Sequence, residues 1–447
     1  MRVIRLILFC LPWLAACAPQ ETPLTERSNE SLDPGSNVTL FEGARLIIGD
    51  GSALENAAFI VENGQFTQVG LANTVEVPPS AARVDLTGKT VMPTLIDAHV
   101  HVGYADIRGM TDAPANYSRE NIIEHLRRMA YYGIGATLSM GIDPGDMPLQ
   151  LREEEIAGAA RFRSAGPGMA RPNAGPGAAD RRDVPYGVDT EEEGKAAVRE
   201  LAAKKVDMVK IWVDDRNGTV PKLTPELYGP IIDEAHRLGL RVAAHIFYLE
   251  DAKDLLRAGI DGFAHGIRDI DVDDEFMELL AKRPYTFLIP NLPDSGARIM
   301  ADLPFIAETM PTEAVDELRT AIAEQAAEDP EENFDVQARN LSRMYEAGVT
   351  VVFGTDGGGA GWDAHEEIAD MVTSGMSPAD AIVAATSNAA RLLRLHDLGT
   401  ITDGKSADFI VLNANPLDDI KNTRSIANVY IKGEEVDRMR LAASWTE

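Results

Sequence analysis

Between residues 94 and 353 the sequence alternates between short β-prone runs and longer helical patterns. Segments such as 119–132 and 225–238 carry the apolar spacing of amphipathic helices. Eight β/α repeats of this kind predict a (β/α)8 TIM barrel, an α/β fold whose active site lies at the C-terminal ends of the strands. We assign residues 91–398 to the barrel. Its eight predicted strands are the run that ends at residue 101, followed by 135–140, 161–165, 208–213, 241–246, 261–265, 285–289 and 349–353.

Shorter β-prone runs lie on both sides of this region. The turn signal Asn63-Gly64 between two of them is typical of a β-hairpin. A sheet this small cannot bury a sizeable core alone, so the two groups of runs are expected to pair. We therefore predict one small β-sandwich domain built from residues 38–90 and 399–447. Its strands are expected at 44–48, 58–61, 65–69, 407–412 and 427–431.

The N-terminal 37 residues belong to neither domain. Residues 6–16 form an apolar run that follows two arginines and is too short to span a bilayer as a mature helix. The run leads into Leu14-Ala15-Ala16-Cys17, which resembles the lipobox of bacterial lipoproteins. We predict a signal peptide at 1–16, acylation of Cys17 and a flexible tether at 17–37. An ordinary signal peptide is the alternative.

These features indicate where the chain works and what it contacts. A lipidated Cys17 places it in the bacterial cell envelope, anchored to the membrane and facing the periplasm or the exterior. The chain has 71 acidic residues against 42 Lys and Arg, a net charge of −29, which argues against nucleic acid as a partner. Cys10 lies in the cleaved segment, so no internal disulfide is expected. Whether the chain forms a homo-oligomer is left open.

Histidine, aspartate and lysine residues fall at the predicted strand ends. His99 and His101 close the first strand, and residues two apart on a strand project to the same side. The remaining candidates come from the fourth, fifth, sixth and eighth strands. This donor set suits two divalent ions, with Zn2+ as the expected metal and an open position on each ion. The full set of candidate ligands is His99, His101, Lys210, His245, His265 and Asp356.

Lys210 is the unusual member of this set. As an ammonium group it has no lone pair to offer a metal. It can act as a ligand if it is deprotonated, or if its nitrogen has taken up carbon dioxide to form an anionic carbamate that bridges two ions. The other interpretation is a cation that balances Asp214, Asp215 or a substrate carboxylate.

Together these motifs resemble the amidohydrolase superfamily, in particular its imidazolonepropionase-like and Xaa-Pro dipeptidase-like members. The resemblance covers almost the whole chain after the tether. It rests on the motifs 93–101, 210–212, 264–266, 354–356, 365–367, 375–378, 385–386 and 399–408.

The resemblance implies a binuclear centre bridged by carboxylated Lys210. It implies that His99, His101 and Asp356 hold one ion, while His245 and His265 hold the other. It also implies that a metal-bridging hydroxide attacks the carbonyl and that Asp356 acts as the catalytic proton carrier. Two loops depart from the pattern of relatives: 166–187 contains no histidine, and Phe247-Tyr248 follows the fifth strand instead of a second histidine.

The expected reaction is hydrolysis of the C–N amide bond of a small molecule, such as a dipeptide or an N-acyl amino acid. A deaminase, a lactonase or esterase of the same superfamily, and a non-catalytic lipid-anchored binding protein are the alternatives. Lys210 argues against a deaminase, since those typically use one metal and a glutamate. Further candidates for substrate binding are Tyr104, Tyr248, Arg268 and His365.

Overall fold

The computed structural model describes residues 38–109, 111–292, 296–325 and 332–446. The predicted signal peptide, Cys17 and the tether lie outside these residues. Within them, no helix is both long and apolar enough to cross a membrane.

The described residues contain strands and helices in a regular succession. The strands are β1 (Val38–Ile47), β2 (Ala53–Glu62), β3 (Gln65–Leu71), β4 (Ala82–Asp85), β5 (Thr90–Pro93), β6 (Leu95–Val100), β7 (Ile134–Ser139), β8 (Arg161–Ser164), β9 (Met169–Ala170), β10 (Tyr186–Gly187), β11 (Val209–Val213), β12 (Val242–Ile246), β13 (Gly262–Ala264), β14 (Phe287–Ile289), β15 (Thr350–Val351), β16 (Phe409–Leu412), β17 (Ile426–Ile431) and β18 (Glu434–Glu435). The α-helices are α1 (Arg119–Tyr131), α2 (Met147–Leu151), α3 (Glu191–Ala203), α4 (Pro225–Arg237), α5 (Leu249–Ala258), α6 (Asp274–Ala281), α7 (Gly296–Ile306), α8 (Thr312–Gln325), α9 (Glu332–Glu346), α10 (Asp363–Thr373), α11 (Pro378–Val383), α12 (Ala389–Leu392) and α13 (Arg438–Thr446).

The barrel strands are parallel and follow one another in chain order. One sheet runs β6-β7-β8, and the other runs β9-β11-β12-β13-β14-β15, with the short β10 outside β9. The amide of Asp207, just before β11, donates to the carbonyl of Ser164 in β8 at 3.1 Å, which joins the two sheets. Phe353, just after β15, accepts from the amide of Ala98 in β6 at 3.0 Å, which closes the circle. The predicted (β/α)8 barrel is confirmed, with each of its eight strands at the expected position.

Strands from both ends of the described chain form the second, smaller sheet. Its order is β18-β17-β16-β5-β1-β2-β3, and β4 pairs with β1. Phe66 donates its amide to the carbonyl of Lys405 at 2.8 Å, so the sheet curls until β3 reaches the segment before β16. Its two halves face each other across a buried aromatic core that contains Phe41, Phe59, Phe66 and Phe409. Three short strands of this sheet, β4, β5 and β18, were not predicted from the sequence.

Side-chain caps fix where the helices around the barrel begin. Ser118 accepts a hydrogen bond from the amide of Asn121 and starts α1. Thr190 and Glu193 form a reciprocal capping box that starts α3. These two helices therefore begin at a defined distance from the strand before them, which sets the length of the connecting loop.

Candidate metal centre

The candidate ligands meet at one mouth of the barrel, where the C-terminal ends of the parallel strands lie. Nε2 of His101 is 2.9 Å from Oδ1 of Asp356, and Nε2 of His99 is 3.2 Å from the same oxygen. One donor atom from each of these residues fits within a sphere suited to one metal ion, since all three atoms lie within 4.8 Å of one another. The structure thus brings together the candidate ligands that follow the first and eighth barrel strands, as expected.

His99 is held by a residue that the sequence analysis missed. Its Nδ1 lies 2.9 Å from Oδ1 of Asn291, whose own amide group donates to the carbonyl of Gly354 at 2.7 Å. Since the amide orientation of Asn291 is set by that second bond, Nδ1 of His99 must donate and Nε2 keeps its lone pair. A polar residue just after the seventh strand was the only available sequence signal.

Lys210 points into the same cluster from β11. Its Nζ lies 3.1 Å from Nε2 of His99, and the side chain is fully buried. Burial is the largest cause that lowers the pKa of Lys210, to about 7, and the nearby Asp356 opposes it. The structure does not pair Lys210 with Asp214, because Asp214 contacts Arg216 and His245 instead.

His245 and His265 form the other side of the cluster. Their ring centroids are 4.3 Å apart, and the ring of His265 also lies 5.1 Å from that of His99. Nε2 of His245 is 3.0 Å from Oδ2 of Asp214, a buried carboxylate that was not among the candidate ligands. Burial alone would raise the pKa of Asp214, but the hydrogen bond from His245 and the charge of Arg216 lower it to about 2.

Two of the candidate ligands have unusual backbone conformations. Asp356 has a φ of 61° and His265 a φ of 147°, a region that residues other than glycine rarely occupy. Asp97 holds the loop at Asp356 in place, since its side chain accepts from the amide and hydroxyl groups of Thr355 at 3.2 and 2.8 Å. Such strain persists where the surrounding structure enforces it, which is typical of functional sites.

The protonation states suit a metal. Burial, together with nearby positive charges, puts the pKa of His99 and His265 well below the usual range and that of His245 at about 3, so these rings are neutral. Burial alone would raise the pKa of Asp356, but His99 and His101 bring it well below its usual range. Neutral imidazoles and an ionised carboxylate are the ligand forms that zinc prefers.

The cluster also contains buried nitrogen atoms that nothing in the described structure satisfies. Nδ1 of His101 and Nδ1 of His265 are inaccessible and have no hydrogen-bond partner among the described residues. Such atoms are rare in native proteins and call for an explanation. In both rings the nitrogen that faces Asp356 is Nε2, so the fit to a divalent metal centre rests on the donor set of His99, His101 and Asp356.

Two cavities of about 230 Å3 each open beside Asp356. The first is lined by three arginines together with Trp212 and Ile142, and the second by Asn291, Leu292, Gln337, Asp363 and Glu367. Asp356, His265 and Arg268 belong to both linings. A substrate whose reacting group lies at Asp356 can therefore extend into either cavity.

The four residues expected to contact substrate lie in different surroundings. Arg268 lines both cavities, and burial lowers the pKa of its guanidinium group. Tyr104 is buried, and its hydroxyl donates to the carbonyl of Ile142 at 2.6 Å. The hydroxyl of Tyr248 lies 3.0 Å from Oδ1 of Asp215 and belongs to neither lining. The positions of Tyr104 and Tyr248 therefore do not support a substrate contact.

His365 needs a correction of the same kind. It is fully buried, Nδ1 lies 3.0 Å from the hydroxyl of Thr423, and Nε2 lies 2.9 Å from the carbonyl of Tyr132. Both ring nitrogens are thus used in packing between α10 and the rest of the fold. His365 lies in the first turn of α10, and the face that this helix buries could not be read from the sequence.

Two other histidines contact neighbouring residues of the fold and lie outside the candidate metal centre. His125 is buried in α1 and accepts a hydrogen bond from the amide of Gly103 at 3.0 Å, which holds the chain that leaves the first barrel strand. His236 lies at the surface, with Nε2 2.8 Å from Oδ2 of Asp261.

Comparison with known proteins places this geometry in a family. The family model described as "Amidohydrolase family" matches residues 90–436. Ochratoxinase of Aspergillus niger is 26% identical over 467 aligned residues, which cover 93% of this chain and 89% of that protein. Imidazolonepropionase of Deinococcus radiodurans is 26% identical over 413 residues, covering 87% and 94%.

A solved structure agrees with these sequence matches. The crystal structure of a Xaa-Pro dipeptidase with methionine bound in its active site superposes with a TM-score of 0.69 at 26% identity, covering 89% of this chain and 99% of that one. Imidazolonepropionase and a Xaa-Pro dipeptidase are thus both similar to this chain, as the sequence motifs had indicated. The chain belongs to the amidohydrolase family.

Proposed function

We propose that the protein is a metal-dependent hydrolase that cleaves a C–N amide bond of a small molecule, with a dipeptide or an N-acyl amino acid as the expected type of substrate. The observation that carries this proposal is the meeting of His99, His101 and Asp356 at the barrel mouth beside buried Lys210. Ochratoxinase, imidazolonepropionase and Xaa-Pro dipeptidase are similar over most of the chain, which supports the same type of reaction here.

The residues present would hold two divalent ions. One ion fits His99, His101 and Asp356, and the other fits His245 and His265, with Lys210 between them. Such ions supply electrophilic polarisation of a carbonyl group and acidify a water molecule at neutral pH. Zn2+ is the expected metal because the set is rich in imidazole.

Lys210 would serve this centre as a carbamate. A buried amine whose pKa is about 7 is uncharged in about half of the molecules at pH 7, far more than an ordinary lysine. Its nitrogen forms a bond to the carbon of carbon dioxide and loses one proton, which leaves one negative charge shared by two oxygens. That anion removes the conflict between an ammonium group and nearby cations, and it has enough oxygens to contact both ions.

Asp356 would move the proton that amide hydrolysis requires. Its side chain is 37% exposed and borders both cavities, so it reaches the place where the two halves of a substrate meet. The carboxylate takes a proton from the attacking water and delivers it to the leaving nitrogen, because an amine leaves more readily when protonated. His101 orients this carboxylate from 2.9 Å.

We also propose that Cys17 is acylated and that the enzyme works from the bacterial cell envelope. The support is the sequence Leu14-Ala15-Ala16-Cys17 after a short apolar run. The acidic composition, with a net charge of −29, makes a lipid the natural means of attachment, since an anionic membrane surface repels such a chain.

The test is a hydrolysis screen on metal-reconstituted protein with dipeptides, N-acyl amino acids and the matching esters and lactones, combined with elemental analysis. We expect close to two divalent ions per chain, amide hydrolysis, and loss of activity on chelation that metal restores. His99→Ala should lower metal content and rate together, whereas His236→Ala, at the surface, should change neither. A metal-free preparation that is fully active would contradict the proposal. If the protein hydrolyses only esters or lactones, the proposed amide hydrolysis is wrong and the protein is an esterase or lactonase.

A further inference from the structure

Three arginines from three different loops converge on one of the cavities beside the metal centre, which we call the arginine cavity. Arg181 comes from the loop after the third barrel strand, Arg216 from the loop after the fourth, and Arg268 from the loop after the sixth. Trp212 and Ile142 supply apolar walls. The cavity therefore combines apolar surface with positive charge at the mouth of the barrel.

Two of these arginines are neutralised within the protein. Arg181 forms an ion pair with Asp112 and lies over the ring of Tyr104 at 4.3 Å. Nη1 of Arg216 is 3.2 Å from Oδ2 of Asp214, and its Nη2 donates to the carbonyl of Gly175 at 2.9 Å. These contacts fix the two side chains in place and cancel most of their charge.

Arg268 differs because no carboxylate among the described residues lies within ion-pair distance of it. Its Nε is buried and has no hydrogen-bond partner there, and the same holds for Nε of Arg181 and Nε of Arg216. Asp356 and Asp214 favour the charged form of Arg268 from a greater distance, but an enclosed guanidinium group that no carboxylate contacts directly is costly, as is a buried N–H group without an acceptor. A protein keeps such a group where a ligand completes it.

The second cavity is lined by different residues, although Arg268 belongs to it as well. Asp363 and Glu367 contribute carboxylates to it, and Asn291 and Gln337 contribute amides. Asp356 lies between the two cavities and belongs to both linings. A substrate that spans Asp356 thus meets Arg181 and Arg216 on the side of the arginine cavity and the carboxyl and amide groups of the second cavity on the other.

We propose that the arginine cavity binds a carboxylate group of the substrate, and that Arg268 is the principal residue that determines this specificity. The substrates are then amides with a carboxylate at one end. This inference rests on the proposed amide hydrolysis. A guanidinium fork matches a carboxylate with two parallel hydrogen bonds, and the walls of Trp212 and Ile142 accept the apolar part beside it.

The kinetic test compares an N-acyl amino acid with its own primary carboxamide, which has the same shape and no charge. We expect the metal-loaded wild type to prefer the acid by about 10- to 100-fold in kcat/KM, the range of a charge-assisted bidentate contact. Arg268→Met should remove the preference mainly through KM, and Arg268→Lys should retain part of it. Arg319→Met, at an exposed arginine of α8 paired with Asp316, is the matched control and should keep the full preference.

Stability gives a readout that does not depend on turnover. If Arg268 were kept for structure, Arg268→Met would lower the melting temperature. If it is kept for a ligand, the variant melts at the wild-type temperature or above, because a buried charge without a partner has been removed. The N-acyl amino acid should raise the melting temperature of the chelated wild type but not that of chelated Arg268→Met, and the carboxamide should raise neither.

The outcomes separate this inference from the proposed function. Amide hydrolysis with equal kcat/KM for the acid and its carboxamide would overturn the carboxylate site and leave the hydrolase intact. If no amide is hydrolysed, the proposed function fails, and the melting experiment alone decides. A carboxylate-dependent shift that needs Arg268 would then still support the site, and the absence of that shift would overturn it.

Discussion

Nζ of Lys210 lies 3.1 Å from Nε2 of His99, and neither side chain is accessible to solvent. Asn291 fixes Nδ1 of His99 as the donor, so Nε2 faces Lys210 with a lone pair. The contact is compatible with an ammonium donor in the metal-free protein, but it leaves that charge enclosed next to a ligand position. Binding of a cation requires that Lys210 lose its positive charge, and this requirement makes Lys210 the residue to test first.

Lys210→Arg should produce an inactive protein that has lost at least one metal ion. Arginine keeps the positive charge but cannot form a carbamate that bridges two ions. Loss of a residue that only hydrogen-bonds to a metal ligand typically lowers activity by about 10–100-fold. Loss of the bridging ligand itself should lower kcat/KM by more than that. Elemental analysis and kinetics check this, with Lys195→Arg at a partly exposed position of α3 as the control. A Lys210→Arg enzyme that holds both metals and turns over normally would rule out the carbamate.

Asn291→Ala should weaken metal binding without unfolding the protein. The substitution removes the acceptor that sets the tautomer and ring orientation of His99. Outer partners of this kind typically change metal affinity or activity by about 10–100-fold. Metal affinity can be measured by competition with a chromophoric chelator. Asn428→Ala, which removes an exposed hydrogen bond to Glu435, should leave the affinity unchanged, and equal affinities in the two variants would refute the assigned role.

Gly141→Ala should disturb Lys210 directly. Gly141 has a φ of 97°, and a Cβ atom there would lie 2.7 Å from Cγ of Lys210 and 2.7 Å from Cη2 of Trp212. Gly145 also has a positive φ, 72°, but a Cβ there would meet nothing within 4 Å. Gly145→Ala therefore isolates the backbone strain, about 1 kcal/mol. We expect Gly141→Ala to be less stable than this control by urea denaturation and to lose metal, which Gly145→Ala should retain.

His365 should contribute to the loss of stability in acid. Burial lowers its pKa to about 4 from the ordinary value of 6.5. Between these values the unfolded chain binds more protons than the folded one, so stability rises with pH and is lost as the pH falls from about 6.5 towards 4. The full contribution is on the order of 3 kcal/mol, at 1.36 kcal/mol per pKa unit.

His365→Gln should therefore flatten the pH dependence of the unfolding free energy in that window, since glutamine does not titrate. Urea denaturation of chelated protein between pH 4 and 7 measures this slope. His396→Gln, at an exposed position, should retain the wild-type slope. The same slope in wild type and His365→Gln would show that the buried ring does not act as a neutral group.

Cys17→Ser should release the protein from membranes or leave it unprocessed. The hydroxyl of serine does not replace the thiol that is acylated in lipoproteins. Fractionation of expressing cells, with mass spectrometry of the mature N-terminus, checks the result. Cys10→Ser, in the segment that is removed, should leave anchoring intact, and a Cys17→Ser protein that is still processed and acylated would disprove the lipoprotein prediction.

The sequence alone determined the fold class, because the barrel strands are local signals. Each is a short apolar run followed by a helix with its own period, and this alternation can be counted without knowledge of distant contacts. The motif around His99 and His101 and the strand ends at His245 and His265 were predicted for the same reason: all parallel strands of a barrel end at one mouth. Lys210 lies within its strand, as the second residue of β11.

Only the tertiary structure decided which polar residues reach that mouth and which serve packing. Asn291 and Asp214 contact His99 and His245 across 192 and 31 positions of the chain, distances that no periodicity reveals. Arg181, Arg216 and Arg268 belong to three loops that carry no common motif, yet they line one cavity. Tertiary packing also decided the position of His365, because its helix buries that side chain in the core and away from the metal centre. Loop paths and helix rotations depend on the packing of the whole barrel, so the charge pattern around the metal centre became visible only once the strands were closed.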